Sequence, residues 1–174
     1  MKRLIILSTI LCMFQALQAQ NNAIDAFFDK YSEKEGFTTV YISSKLLSLF
    51  TPKDAKREDG SDVISRIKSI RILSVEDSLL NMNLNFYKEL SNKLDLSVYE
   101  ELMAVKEGSG TTKFLIRQNG NIISELLVIT GGPDDNTLIS IRGDLDMKSI
   151  SRMSKDLGIE ELENLENIEK KEPE

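Results

Sequence analysis

The chain has 174 residues, 41% hydrophobic and 29% charged, with 22 basic against 28 acidic side chains and a formal charge of −6. That is enough for one domain with a real core and excludes a disordered or fibrous chain, while the acidic balance repels phosphate and argues against nucleic acid as a partner. Histidine is absent and Cys12 is the one cysteine, which removes His/Cys zinc sites, Ser-His-Asp and Cys-His nucleophiles and histidine general bases from a processed chain.

The order begins with Lys2 and Arg3, an apolar run from Leu4 to Phe14, and QALQAQ over 15–20. A basic start, an apolar centre and a small-residue end make a secretory leader, cut after Ala19. The run of 11 residues falls short of the roughly 20 that a bilayer span needs, so no transmembrane span is expected in the mature chain. Cys12 follows Leu11 inside the apolar run, where lipid attachment needs a small residue, so a lipoprotein is not expected. Removal of the leader leaves 20 basic and 28 acidic residues, a charge of −8, and no cysteine for a disulfide framework. The expected organisation is a leader at 1–19, one α+β domain at 20–159 and an acidic tail at 160–174, in a periplasmic or cell-envelope protein.

Within Ala23 to Lys34, Ile24, Phe27, Phe28 and Tyr31 recur at three- and four-residue spacing and predict a helix, which Gly36 stops. Thr38 to Ile42 is β-branched and aromatic and predicts a strand. Ser43 can cap a short helix carrying Leu46, Leu47 and Phe50, ended by Thr51 and Pro52. KDAKREDGS at 53–61 has no large apolar residue and predicts an exposed loop. One helical turn over Val63 to Lys68, with Asp62 as a candidate cap, precedes a second strand over Ile70 to Val75. Leu79, Met82, Phe86, Leu90 and Leu94 lie along one stripe, which predicts the longest helix over Leu79 to Leu94, packed on the sheet.

After Asp95 the period alternates, giving strands over Leu102 to Lys106, Lys113 to Gln118, Ile122 to Thr130 and Thr137 to Gly143. GSG at 108–110, Asn119-Gly120 and GGPDDN at 131–136 join them as turns, which predicts a four-strand antiparallel meander. Ile122 to Thr130 is apolar on both faces and belongs in the middle of the sheet. Ser149 to Leu157 predicts a helix closed by Gly158. Seven Glu and two Lys crowd 160–174, where a frayed helix or disorder is expected. The fold class is therefore α+β, a mainly antiparallel sheet of about six strands with helices packed on one face.

The chemistry on offer is sparse. Asp134, Asp135, Asp144 and Asp146 are candidate oxygen ligands for a metal such as Ca²⁺, though not at EF-hand spacing, and each also suits a turn or a helix start. They could also supply a glycosidase-type carboxylate pair, but the chain has no tryptophan to line a sugar cleft. Ser65 to Lys68 matches SxxK spacing without the companion elements of the acyl enzymes that use it. GGPDD is no phosphate loop, and no N-x-[ST] acceptor occurs. No catalytic residue and no cofactor is expected.

The segments FFDKYSEKEGFTTVYISSKLLSLF at 27–50, IKSIRIL at 67–73, YEELMAVKEG at 99–108, and ISELLVITGG with LISIRGDLDMKSISRMSK from 123 to 155 resemble domain of unknown function 4252, a family of small exported Bacteroidetes proteins. The resemblance spans nearly all of the mature chain and brings no activity, cofactor or functional residue with it. It implies an envelope or stress-response setting. The leading expectation is a non-catalytic envelope module that binds a protein or other partner, in cell-envelope signalling or stress response, of open oligomeric state. A small-ligand or lipid carrier would need a cavity between sheet and helices, and a carboxylate-only hydrolase would need a pocket holding acids.

Overall fold

The structure, a computed structural model, describes residues 23–49 and 63–146. The leader, the 53–61 loop, the helix expected at 149–157 and the acidic tail lie outside the described residues, as does Phe50.

Six strands form one sheet, β1 (Phe37–Ser43), β2 (Ile67–Val75), β3 (Glu100–Glu107), β4 (Gly110–Asn119), β5 (Ile122–Gly131) and β6 (Asn136–Leu145). Their order is β1-β2-β6-β5-β4-β3, and every neighbouring pair is antiparallel. The expected meander is the run from β3 to β6, and β5 lies inside the sheet, as its two apolar faces require. Its turn to β4 uses Gly120 at φ 60°, a left-handed conformation that the tight hairpin needs and glycine adopts at little cost.

The helices are short. The described part of α1 runs over 23–31, followed by α2 (Ser44–Leu47), α3 (Val63–Arg66), α4 (Ser78–Asn83), α5 (Phe86–Ser91) and a 3-10 turn at Leu96–Val98. The expected stripe of α1 is the buried one, with Ile24, Phe27, Phe28 and Tyr31 between 0% and 3% exposed. Ser43 caps α2 by accepting from the Leu46 backbone N–H at 3.3 Å.

Two expectations fail. The helix at 63–68 stops at Arg66, and Ile67 and Lys68 already belong to β2. The long helix over Leu79 to Leu94 is two helices, broken at Leu84 and Asn85, both in extended conformation. Asn85 begins α5 by accepting from the Lys88 backbone N–H at 2.8 Å, and Asn136 reaches in from the sheet to accept from the Phe86 N–H at 2.8 Å. These asparagine caps give the backbone better partners than a continuous helix would. The break rotates α4, so Leu79 and Met82 face solvent while Phe86 and Leu90 are sealed.

α1, α4 and α5 lie over one face of the sheet, where Phe27, Phe28, Phe86 and Leu90 pack on Leu73, Leu115, Leu127, Ile129 and Leu138. The rings of Phe27 and Phe86 meet edge to face at 5.0 Å between centroids, and Tyr31 stacks on Phe37 at 4.7 Å. Each fully buried phenylalanine contributes about 1.5–3 kcal/mol, so α1 is anchored to β1 and α5 by its aromatic face. The other face carries Ile70, Phe114, Ile116, Leu126, Val128, Ile139 and Ile141, joined by Leu47 of α2 and by Ile64 of α3.

Candidate functional site

β6 separates the four aspartates singled out in the sequence. Asp134 and Asp135 occupy the turn before it, and Asp144 and Asp146 lie at its far end, about 30 Å away along an extended strand. Asp144 accepts from Lys68 Nζ at 2.7 Å and Asp146 from Arg66 Nη1 at 2.9 Å, so this second pair ties β6 to β2 and α3. Among the described residues no group of three or more acids gathers to hold a metal ion. Ser65 and Lys68 fall on α3 and β2 respectively, so the helical turn that SxxK chemistry needs is absent.

Asp134 and Asp135 do line a cleft of about 190 Å³, with Glu107, Thr111, Thr112 and Thr130, between the β3–β4 hairpin end and the β5–β6 turn. That volume is below the ~300 Å³ at which small-molecule pockets begin. Three of its polar side chains, Thr112, Thr130 and Asp135, have partners within the fold. The Thr112 and Thr130 hydroxyls are 3.1 Å apart, and Thr137 Oγ1 donates to Asp135 Oδ1 at 2.8 Å. The cleft is at one end of the sheet, while the space between sheet and helices is filled by Phe27, Phe28, Phe86, Leu90, Leu127 and Ile129.

Among the described residues the most deeply buried charge is that of Glu125, which no motif in the sequence marks. Glu125 lies on the helix-covered face of β5, fully sealed, with Arg117 of β4 and Arg142 of β6 as its cross-strand neighbours. Arg142 Nε and Ser140 Oγ donate to Oε1, each at 2.8 Å, while Tyr99 OH at 2.8 Å and Arg117 Nη2 at 3.1 Å serve Oε2. Arg142 Nη1 also donates to Asp25 of α1 at 2.9 Å, and Arg71 Nη1 to the same oxygen at 2.8 Å. Burial, then the Glu125 carboxylate, pushes the Tyr99 phenol well above its ordinary range, which keeps it a donor. Four donors and no solvent access leave this carboxylate no room for a substrate; the network fastens α1 to four strands, β2, β4, β5 and β6.

A second carboxylate is tuned for the same kind of work. Burial raises the pKa of Glu89, but hydrogen bonds from Lys30, Lys93 and Tyr31 outweigh it and hold it down at about 2. Glu89 is therefore an ionised clamp between α5 and α1, with Lys30 Nζ at 2.6 Å and Tyr31 OH at 2.7 Å. A general acid or base at neutral pH would need the opposite shift.

Among the described residues the two outer strands of the sheet, β1 and β3, differ. β3 carries Glu100, Glu101, Lys106 and Glu107 and has a register shift between Glu101 and Met103. Charge and bulge both discourage a further strand from adding there. β1 reads FTTVYIS without a charge, and its seven residues pair with β2 in unbroken register, Phe37 with Val75 through Ser43 with Ser69. Val40 is 38% exposed and Tyr41 64%, and beside them Leu46 and Leu49 reach 44% and 76%. Four of the eight large apolar side chains left exposed among the described residues thus fall within 40–49. This strand is legible in the β-branched sequence, but its place at the edge depends on strand order, which local spacing does not encode.

The sequence model of the family described as Domain of unknown function (DUF4252) matches residues 31–153. No curated protein and no solved structure matches the chain.

Proposed function

The chain belongs to the DUF4252 family, and from that premise we propose that it is an exported, non-catalytic interaction module of the cell envelope that engages its partner by strand addition along β1. The observation that carries this reading is the contrast between the two outer strands among the described residues, one blunted by charge and a bulge, the other uncharged, in unbroken register and with Val40 and Tyr41 exposed. A strand docked on β1 would satisfy outward backbone groups along seven residues, while Val40 and Tyr41 would be covered on opposite faces. Export and an envelope location rest on the leader pattern of residues 1–19. Among the described residues no helix is long and apolar enough to cross a membrane.

Tagged protein used to capture envelope proteins, with wild type, Thr39→Lys and Ala104→Lys compared, tests the reading. Thr39 and Ala104 are both exposed, on β1 and β3 respectively, so each lysine alters an edge without entering the core. A specific protein, whether another chain or an untagged copy of this one, is expected with wild type and Ala104→Lys and lost with Thr39→Lys. Capture that survives Thr39→Lys, or none with wild type, would contradict it.

A further inference from the structure

We infer that the strand added to β1 is β1 of a second copy, so that two chains join their sheets about a two-fold axis at Val40. The inference rests on the edge reading above and names its occupant.

The chemistry of the strand points there. From Phe37 to Ser44 the sequence FTTVYISS carries no charge, and Lys45 is the one charged residue in 37–49. The edge therefore has nothing with which to select a strongly charged peptide. It suits an uncharged, β-branched and aromatic strand, and β1 is itself such a strand. Antiparallel pairing that overlaps all seven residues sets Val40 opposite Val40 of the second copy, Thr39 opposite Tyr41, Thr38 opposite Ile42 and Phe37 opposite Ser43. Each exposed apolar side chain of the strand then meets a β-branched one, the kind of cross-strand pair that stabilises a sheet, and no like charges face each other. The same surface serves both copies, as a two-fold interface requires.

Charge sets a second signature. A chain of formal charge −6 repels its own copy at long range, so an association held by neutral strands should tighten as salt screens that repulsion. A basic partner docked on this acidic protein would instead be released by salt.

The test is the mass of the purified protein in solution by light scattering across a concentration series, at low and high salt. It is paired with oxidative cross-linking of Val40→Cys and Thr38→Cys in a background where Cys12 is serine. Directly opposed residues in an antiparallel pair have Cα atoms about 4.5–5.5 Å apart, within disulfide reach. Val40→Cys is therefore expected to give a cross-linked dimer, whereas Thr38→Cys, opposed by Ile42, is not. Wild type is expected at twice the chain mass, with affinity rising with salt, and Thr39→Lys is expected to weaken it about tenfold or more.

A wild type that stays monomeric, with no Val40→Cys cross-link, would overturn the inference. If a different protein is then captured in a Thr39-dependent way, the edge reading stands with another occupant; if nothing is captured, both fall. A dimer indifferent to Thr39→Lys would place the interface elsewhere and also overturn it.

Discussion

Glu125 and Glu89 show how ionisable groups serve this fold as fasteners. Glu125 has its four donors and no solvent exposure, and Glu89 bridges Lys30, Tyr31 and Lys93. A carboxylate whose folded pKa is depressed contributes stability that is present above its unfolded value, near 4.5, and lost as pH falls through its folded value, about 2. Acid unfolding is accordingly expected to include a step of about 1 kcal/mol between these limits, reduced by solvent screening from what the shift alone implies. Urea denaturation at a series of pH values should show that step in wild type and not in Glu89→Gln; equal pH dependence in the two proteins would contradict it. Glu125 was legible as an acid inside the apolar run IISELLVIT, yet its partners were not. Arg117 and Arg142 flank it because β4 and β6 do, and strand order is a long-range property that no local spacing encodes.

At the scale of elements, periodicity was a good guide wherever one signal acted alone. The alternating strands and their Asn-Gly and Gly-rich turns are where pattern and turn chemistry put them, and the aromatic face of α1 is the buried one. It misled where two signals competed. The stripe from Leu79 to Leu94 is helical in spacing, but Asn85 supplies an N-cap for a second helix, and the backbone breaks at Leu84 and Asn85 to use it. That break lets α5 approach β5 so closely that a Cβ on Gly131 would meet Asn85 Oδ1 and, at 2.6 Å, the Tyr87 backbone N. Gly131→Ala is expected to cost about 1–3 kcal/mol by forcing Asn85 off its cap. A lower urea midpoint with unchanged denaturant slope would confirm it, and an unchanged midpoint would contradict it.

At the scale of the molecule, Glu125 is sealed and the Asp134–Asp135 cleft, at about 190 Å³, lies below the usual size of a small-molecule pocket. Among the described residues the sheet has one outer strand that is charged and bulged, β3, and one that is uncharged and in unbroken register, β1. The sequence reading reached the α+β class and the meander. It could not reach the edge, because β1's exposure follows from β2 pairing with β6 and leaving β1 outermost. Whether partners dock on β1 is read by hydrogen exchange of the associated protein against the dissociated one. Association is expected to slow exchange in alternate amides of Phe37–Ser43, the outward half of β1, and to leave Glu100–Glu107 unchanged. Protection at β3 or around Asp134 and Asp135, with β1 unaffected, would contradict the account.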